Sequence, residues 1–447
     1  MEEGFVVGID LGTSNMIGLL GQKNEFGVMS ILASESIPSG TCIKHGVVYN
    51  IDDTAGRVKK LLNLLENKTG KKIGKAYVSV AGMSLKAIED IQTKKFGTET
   101  SITFSILDQM KQLASMSKPS LLSIYSTVSP EIYLDGKLEE DPIDKRATTI
   151  ETRCRLIAGR PNIKSNLSRC ISEKNRIEIA GYTVGPIATG AILLNNDEKK
   201  AGCALVDFGG GTTTVTIYKD GFLRSLIVIP FGGRTITRDI QDMGFTEDLA
   251  ELYKIRYGKV GKNKVKTAAE PHATTSDPVT IDLRKLDKVI QLRQDEIILN
   301  VINQINESGY GDQLDAGIFI TGGASQMTGL VDFFAEKAGM TVQVAGIKHL
   351  FINNAVDLLK DPSYSQCLGV MLFAKENCEK VEVSHPQPIT SQTQTSTSQV
   401  QAPKEESTQD ESDSKEDTKK SKGNNQKKES VFSFFGKIGD VMFKGEE

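Results

Sequence analysis

Residues 6–20 read VVGIDLGTSNMIGLL, and residues 204–218 read ALVDFGGGTTTVTIY. Set in one register, Asp10 matches Asp207 and Gly12 matches Gly209, 197 positions apart, each between two apolar runs. Each copy reads as a strand, a tight glycine turn and a second strand. A carboxylate at a strand end suits Mg²⁺ held through water, because that ion takes one or two carboxylates and keeps several waters. Glycines let backbone N–H groups approach phosphate oxygens, and Thr13, Ser14, Thr212 and Thr213 add hydroxyl donors. A lone hairpin of this kind is most often an ordinary turn. Two in register imply two related domains facing one nucleotide-phosphate site.

A third loop, IFITGGASQMTGL at 318–330, has the same strand-then-glycine form without the carboxylate. Gly322 and Gly323 would let a flat base lie against the backbone, Met327 would pack on its edge, and a helix is expected from Ser325 or nearby. Competing signatures are missing: no G-x-x-x-x-G-K-[ST], no G-x-G-x-x-G and no G-x-S-x-G. The histidines at 45, 272, 349 and 385 stand apart without metal-ligand spacing.

Around these loops, residues 1 to about 378 read as globular. FVVGID, KAYVSVAG, GCALVDFG, TTVTIYKD and AGIFITGG are expected strands, apolar enough to be buried on both faces of an α/β layer. IDDTAGRVKKLLNLLENKTG is expected to be a helix capped near Asp52 or Asp53 and ended by Gly70, and a second helix is expected over Asp287–Glu307. KVGKNKVKTAAEPHATTSDP, at 259–278, reads as a polar surface loop. The six cysteines are scattered and lack a C-x-x-C pair. The start MEEGFVVGID is not a secretory signal, so free thiols in a reducing cytoplasm are expected. A net charge of −3 gives no reason to expect nucleic acid, and no apolar run is long enough to span a bilayer.

Composition changes at about Glu379. Residues 379–430 are rich first in Ser, Thr and Gln, and then carry an acidic block followed by a lysine block. Such a stretch buries too little apolar area to offset its ordering entropy and is expected to be a tether with a span of about 40 Å. After it comes VFSFFGKIGDVMFK at 431–444, with four of the chain's 17 phenylalanines. On a helical wheel Val431, Phe432, Phe434, Phe435, Ile438, Val441, Met442 and Phe443 share an arc of about 200°. Ser433, Lys437, Asp440 and Lys444 take the other side. At about 21 Å this helix is too short to cross a bilayer and suited to lie in its surface. Gly436 and Gly439 weaken it by about 1 kcal/mol each, so it is expected to fold on the lipid and bind reversibly. Many tails on one filament would multiply the affinity. Docking on the protein's own core or in a partner's groove would also use such a helix.

GIDLGTSN resembles the first phosphate loop of the actin, sugar-kinase and DnaK-chaperone ATPase superfamily, LVDFGGGTT the second, and FITGGASQMTGL the adenosine loop. VGPIATGAILL and YSQCLGVMLFA resemble its two connecting helices. Within that superfamily IKHGVVYNIDDTAGRVKKLLNLLE, KAYVSVAGMS, VIPFGGRTITRDI and LAELYKIRYG resemble the FtsA family of bacterial cell division proteins. The resemblance implies an α/β, two-lobed actin-like ATPase fold with an FtsA-type inserted subdomain, a disordered linker and a C-terminal amphipathic helix. The first half would comprise 1–84 and 161–185, the insert 85–160, and the second half 186–378 with a small subdomain at 234–310. The linker would be 379–430 and the membrane-targeting helix 431–447.

Carried onto these residues, the resemblance gives Asp10 and Asp207 to Mg²⁺ and its water. It gives Gly12, Thr13, Ser14, Asn15, Gly209, Gly210, Gly211, Thr212 and Thr213 to the phosphates of ATP. Glu251 and Lys254 would flank the ribose and adenine beside Gly322, Gly323, Ala324 and Met327. Where actins and kinases begin the first connecting helix with a glutamine or an acid, this chain has Gly185, so ATPase activity is expected to be slow at most. The partners implied are FtsZ, other copies of the chain in filaments, the membrane lipid surface, and other division proteins through the insert. The place implied is the cytoplasmic face of the cell membrane at the septum. A pilus-assembly adaptor of the PilM type and a sugar-kinase-like phosphotransferase are the alternatives; the kinase lacks a candidate base, and neither accounts for tether and tail together.

Overall fold

The computed structural model describes residues 4–117, 119, 121–261, 282–347 and 351–380. The surface loop expected at 259–278 lies almost wholly outside the described residues, as do the tether and the amphipathic helix beyond 380.

Two five-stranded sheets repeat one plan. In the first, the strands Val6–Leu11, Asn15–Lys23 and Met29–Pro38 form an antiparallel meander. Lys75–Val80 and Glu178–Val184 then extend the sheet in parallel on the other side of Val6–Leu11. In the second, Cys203–Phe208, Thr213–Lys219 and Phe222–Ile229 form the meander, and Ile318–Thr321 and Val342–Val344 add the parallel strands. Both sheets therefore run third, second, first, fourth, fifth. The inner parallel strands Lys75–Val80 and Ile318–Thr321 are buried along nearly their whole length, whereas the outer strands Glu178–Val184 and Val342–Val344 are partly exposed.

The helix Ile51–Thr69 shows how the sequence builds one of these layers. Asn50, not Asp52 or Asp53, is the cap: its side chain accepts from the Asp53 backbone N–H, and the two aspartates fill the first turn instead. Gly70 ends the helix at φ 68, as expected. Val58, Leu61 and Leu65 share the buried face and pack on the strand Asn15–Lys23, where Gly18 leaves room for both leucines. Each buried leucine contributes about 1.5–3 kcal/mol, and Leu61→Ala would cost about 2–5 kcal/mol.

Residues 86–159 form a separate four-stranded antiparallel sheet, ordered Lys86–Ser101, Arg146–Gly159, Ser123–Leu134 and Lys137–Leu138. The helix Phe104–Met116, capped by Thr103, closes a small core of Ile102, Met110, Leu134, Ala147 and Ile150. Packed with the second sheet, Gly233–Gln241, Glu247–Tyr257 and Leu283–Glu307 are helices. The last begins four residues before the expected Asp287, because Asp282 accepts from the N–H groups of Arg284 and Lys285.

The helices Gly185–Leu193 and Ser365–Leu372 cross where Gly369 lets the chains meet: a Cβ there would stand 2.3 Å from the Ala188 carbonyl oxygen. After the second of them the chain returns to the first sheet, with Gly74 N–H donating to Cys378 O at 2.9 Å and Cys378 N–H to Phe5 O at 2.8 Å. All six cysteines are buried and free. Among the described residues no helix is long and apolar enough to cross a membrane.

Candidate nucleotide cleft

The two hairpins, at 6–20 and 204–218, match pair for pair. Val6 faces Gly21, Asp10 faces Ile17 and Leu11 faces Met16. In the second copy Cys203 faces Tyr218, Asp207 faces Thr214 and Phe208 faces Thr213, so each residue has moved by the same 197 positions. The turns match as well. A Cβ on Gly12 would stand 2.7 Å from the Asn15 carbonyl oxygen, and one on Gly209 would stand 2.9 Å from that of Thr212. Glycine is required at both positions because the chain doubles back too tightly for any side chain.

The turns also meet each other. Gly210 lies so close to Ser14 that a Cβ would reach within 2.1 Å of its Oγ, and one on Gly211 would lie 2.6 Å from Thr13 Oγ1. Polar ties hold this junction. Thr13 Oγ1 accepts from Gly46 N–H at 2.9 Å, and His45 Nδ1 donates to Gly211 O at 2.9 Å. From the second half, Arg234 Nη1 donates to Thr13 O at 3.2 Å and Gly40 O at 2.7 Å, while Nη2 pairs with Glu247. Neither His45 nor Arg234 stood out in the sequence, since each acts across a sequence gap that local patterning does not reveal.

Between the turns opens a cleft of ≈ 430 Å³, in the range of pockets that enclose small molecules. Asp10, Gly12, Thr13, Ser14 and Asn15 line it from the first hairpin, and Asp207, Gly209, Gly210, Gly211 and Thr212 from the second. Gly322, Gly323, Ala324 and Met327 supply a third wall, and Glu251 and Lys254 a fourth. Thr213 is the one residue of the expected set that turns away. Strand alternation sends its side chain to the other face, where it is fully buried and its hydroxyl donates to Phe231 O at 2.9 Å. Thr214 takes a place in the wall instead.

Glu251 and Lys254, three positions apart on one helix, form an ion pair at 2.7 Å. Lys254 Nζ also donates to Gly233 O at 3.1 Å and Thr237 Oγ1 at 2.9 Å, which accounts for its burial. Burial pulls the ammonium below its ordinary pKa, and Glu251 opposes that pull. In the third wall Gly322, at φ 88, is hemmed in by Asp207: a Cβ would stand 2.2 Å from its Oδ1. The helix expected near Ser325 starts later, at Leu330, because Ser325 Oγ donates to Gly322 O at 2.7 Å and closes a short 3₁₀ turn over Gly323–Gln326.

The two carboxylates differ in support. Burial raises the pKa of Asp10, while hydrogen bonds from Gln366 and Ser79 lower it. Burial, reinforced by the charge of Asp10, pushes Asp207 to about 7. Two desolvated acids that repel each other beside glycine turns are a donor set that a hard divalent cation would satisfy, so the residues fit Mg²⁺. Gln366, which with Ser365 supplies the polar start of a helix that is apolar from Cys367 onward, is the one signal of this role that the sequence holds.

Comparison with known proteins agrees with this architecture. The family model described as "Cell division protein FtsA" matches residues 204–369. The FtsA of Porphyromonas gingivalis is 28% identical over 395 residues, covering 87% of this chain and 82% of its own length. That of Pseudomonas aeruginosa is 27% identical over 382 residues, covering 82% of this chain and 88% of its own. Among solved structures, the PilM–PilN type IV pilus biogenesis complex is similar in fold. Its TM-score is 0.59 at 14% identity, covering 82% of this chain and 97% of that one.

Proposed function

We propose that this chain, a relative of the FtsA cell division proteins along most of its length, is an ATP-binding, actin-like division protein that ties FtsZ filaments to the inner face of the cell membrane. The observation that carries the reading is the pair of hairpins, matched residue for residue, whose turns meet at one cleft. In this reading the backbone N–H groups around Gly12 and Gly209–Gly211 cradle the phosphates, with Thr13, Ser14, Asn15 and Thr212 beside them. Asp10 and Asp207 hold Mg²⁺ through its water shell, and the ion would neutralise phosphate charge. The base lies between Gly322, Gly323, Ala324 and Met327, with Glu251 and Lys254 at its rim. Gly185 offers no side chain to activate water, so nucleotide acts mainly as a clamp between the halves.

Closed units would then polymerise, and segment 431–447 of each would dip into the lipid. The insert at 86–159 would meet other division proteins, and FtsZ would meet the small subdomain of the second half, about 234–310. Relatedness across more than four fifths of each curated partner's length favours division over pilus assembly, for which the likeness is one of fold alone.

Co-sedimentation with liposomes tests the whole assembly. Purified full-length chain is mixed with FtsZ and vesicles containing anionic lipid, with and without ATP, beside a chain ending at Ser430. The full chain is expected to bring FtsZ down with the lipid, and the truncation to leave it in solution. A truncated chain that still carries FtsZ to vesicles would overturn the tail's role.

A further inference from the structure

Gly185 is the buried first residue of the helix Gly185–Leu193, and Pro186 beside it lines the cleft. The space where a side chain at 185 would stand is filled from another element. A Cβ on Gly185 would stand 2.5 Å from both Cδ and Oε1 of Gln366 and 2.9 Å from its Nε2, so no side chain at 185 can coexist with this amide. Gln366 belongs to the facing helix Ser365–Leu372 and lines the cleft. Its Nε2 donates to Asp10 Oδ1 at 2.6 Å and to Ser79 Oγ at 2.8 Å. The carboxylate offers only acceptors, so the NH₂ end of the amide must face it, which fixes the orientation of the group. Among the described residues Asp207, the counterpart of Asp10, has no side chain donating to it in this way.

We infer that Gln366 is a positioning residue of the nucleotide cleft: from the second connecting helix it takes the space left by Gly185, aims the Asp10 carboxylate, and so sets how strongly a magnesium nucleotide is held. This rests on the nucleotide reading of the cleft given above. A carboxylate that helps to hold a metal depends on the groups hydrogen-bonded to it, because they decide whether its lone pairs point at the ion. Ser79 completes the arrangement by accepting the second amide N–H, which stops the amide from rotating off Asp10. The helix pair that crosses at Ala188 and Gly369 thereby touches the metal-facing acid directly, through one side chain.

A fluorescent ATP analogue, titrated into the full chain in Mg²⁺ and in EDTA, tests the assignment. Gln366→Ala is expected to cut the magnesium-dependent gain in affinity about 10- to 100-fold and to leave affinity in EDTA unchanged. Gly185→Ala, which does not touch Asp10, should displace the amide and give the same loss. Once Gln366 is truncated the added Cβ has room, so the double variant should be no worse than Gln366→Ala alone. Melting curves report whether each variant folds, and Gly185→Ala keeps the inference open to test if Gln366→Ala does not. A full magnesium gain in both single variants overturns the inference. So does an equal fall in Mg²⁺ and in EDTA, or losses that add in the double variant. If the unsubstituted chain binds no nucleotide, the reading of the cleft has failed and the inference fails with it.

Discussion

The two hairpins share strand register and turn sterics, and they differ in what holds their acids. Asp10 accepts hydrogen bonds from Gln366 and Ser79, 356 and 69 positions away in sequence. Asp207 has the same backbone setting, no such donor among the described residues, and a pKa pushed to about 7. A duplicated backbone thus carries two unequal carboxylates. Geometry comes from the local sequence, and charge state from what the rest of the fold brings near.

The strongest way to break the comparison is at the turns. Gly12→Ala and Gly209→Ala both drive a Cβ into a carbonyl oxygen of the returning strand, at 2.7 Å and 2.9 Å respectively. Each should cost about 1–3 kcal/mol in urea unfolding, and by similar amounts, because the clash is the same one twice. A large effect in one copy with none in the other would show that the turns are not equivalent.

The acids should separate next. In chelator-containing buffer the folded chain keeps a proton on Asp207 that the unfolded chain has already released, from the ordinary carboxylate range up to about pH 7. The contribution of this group to stability is therefore complete at low pH and falls as pH rises through about 7. Asp207→Asn should melt several degrees above the unsubstituted chain near pH 8, and the gap should close toward pH 4. Asp10→Asn should gain less, because it disrupts the hydrogen bond from Gln366. Thermal melts across pH measure both, and equal gains would erase the asymmetry.

The smallest expected effect concerns Thr212 and its neighbour. Thr213→Val removes the buried hydroxyl that serves Phe231 O and should cost about 1 kcal/mol without altering nucleotide affinity. Thr212→Val, at the cleft wall, should do the reverse. The pair sharpens the point that adjacent strand residues serve opposite faces.

Much of this was legible in the sequence because it is local. The hairpins announce themselves by apolar runs on either side of Asp-x-Gly, and the helix Ile51–Thr69 by its leucine spacing and Gly70. Thr213 was misplaced because glycine turns hide where strand alternation resumes. The Leu330 helix start was obscured because a serine hydroxyl turned the chain back on Gly322 first. Gln366 could not be joined to Asp10 from sequence, since no period or motif links positions so far apart; the packing of the helix Ser365–Leu372 on the strand Val6–Leu11, where Cys367 and Met371 lie against Gly8, brings them together.

One measurement asks most directly whether both hairpins serve one magnesium-nucleotide site. Isothermal titration of the full chain with ATP, in Mg²⁺ and in EDTA, beside Asp10→Asn and Asp207→Asn, measures it. The account predicts one ATP per chain, bound more tightly with Mg²⁺, with either substitution removing that advantage by about tenfold or more. ATP bound equally well in Mg²⁺ and EDTA, and unaffected by either substitution, would contradict it.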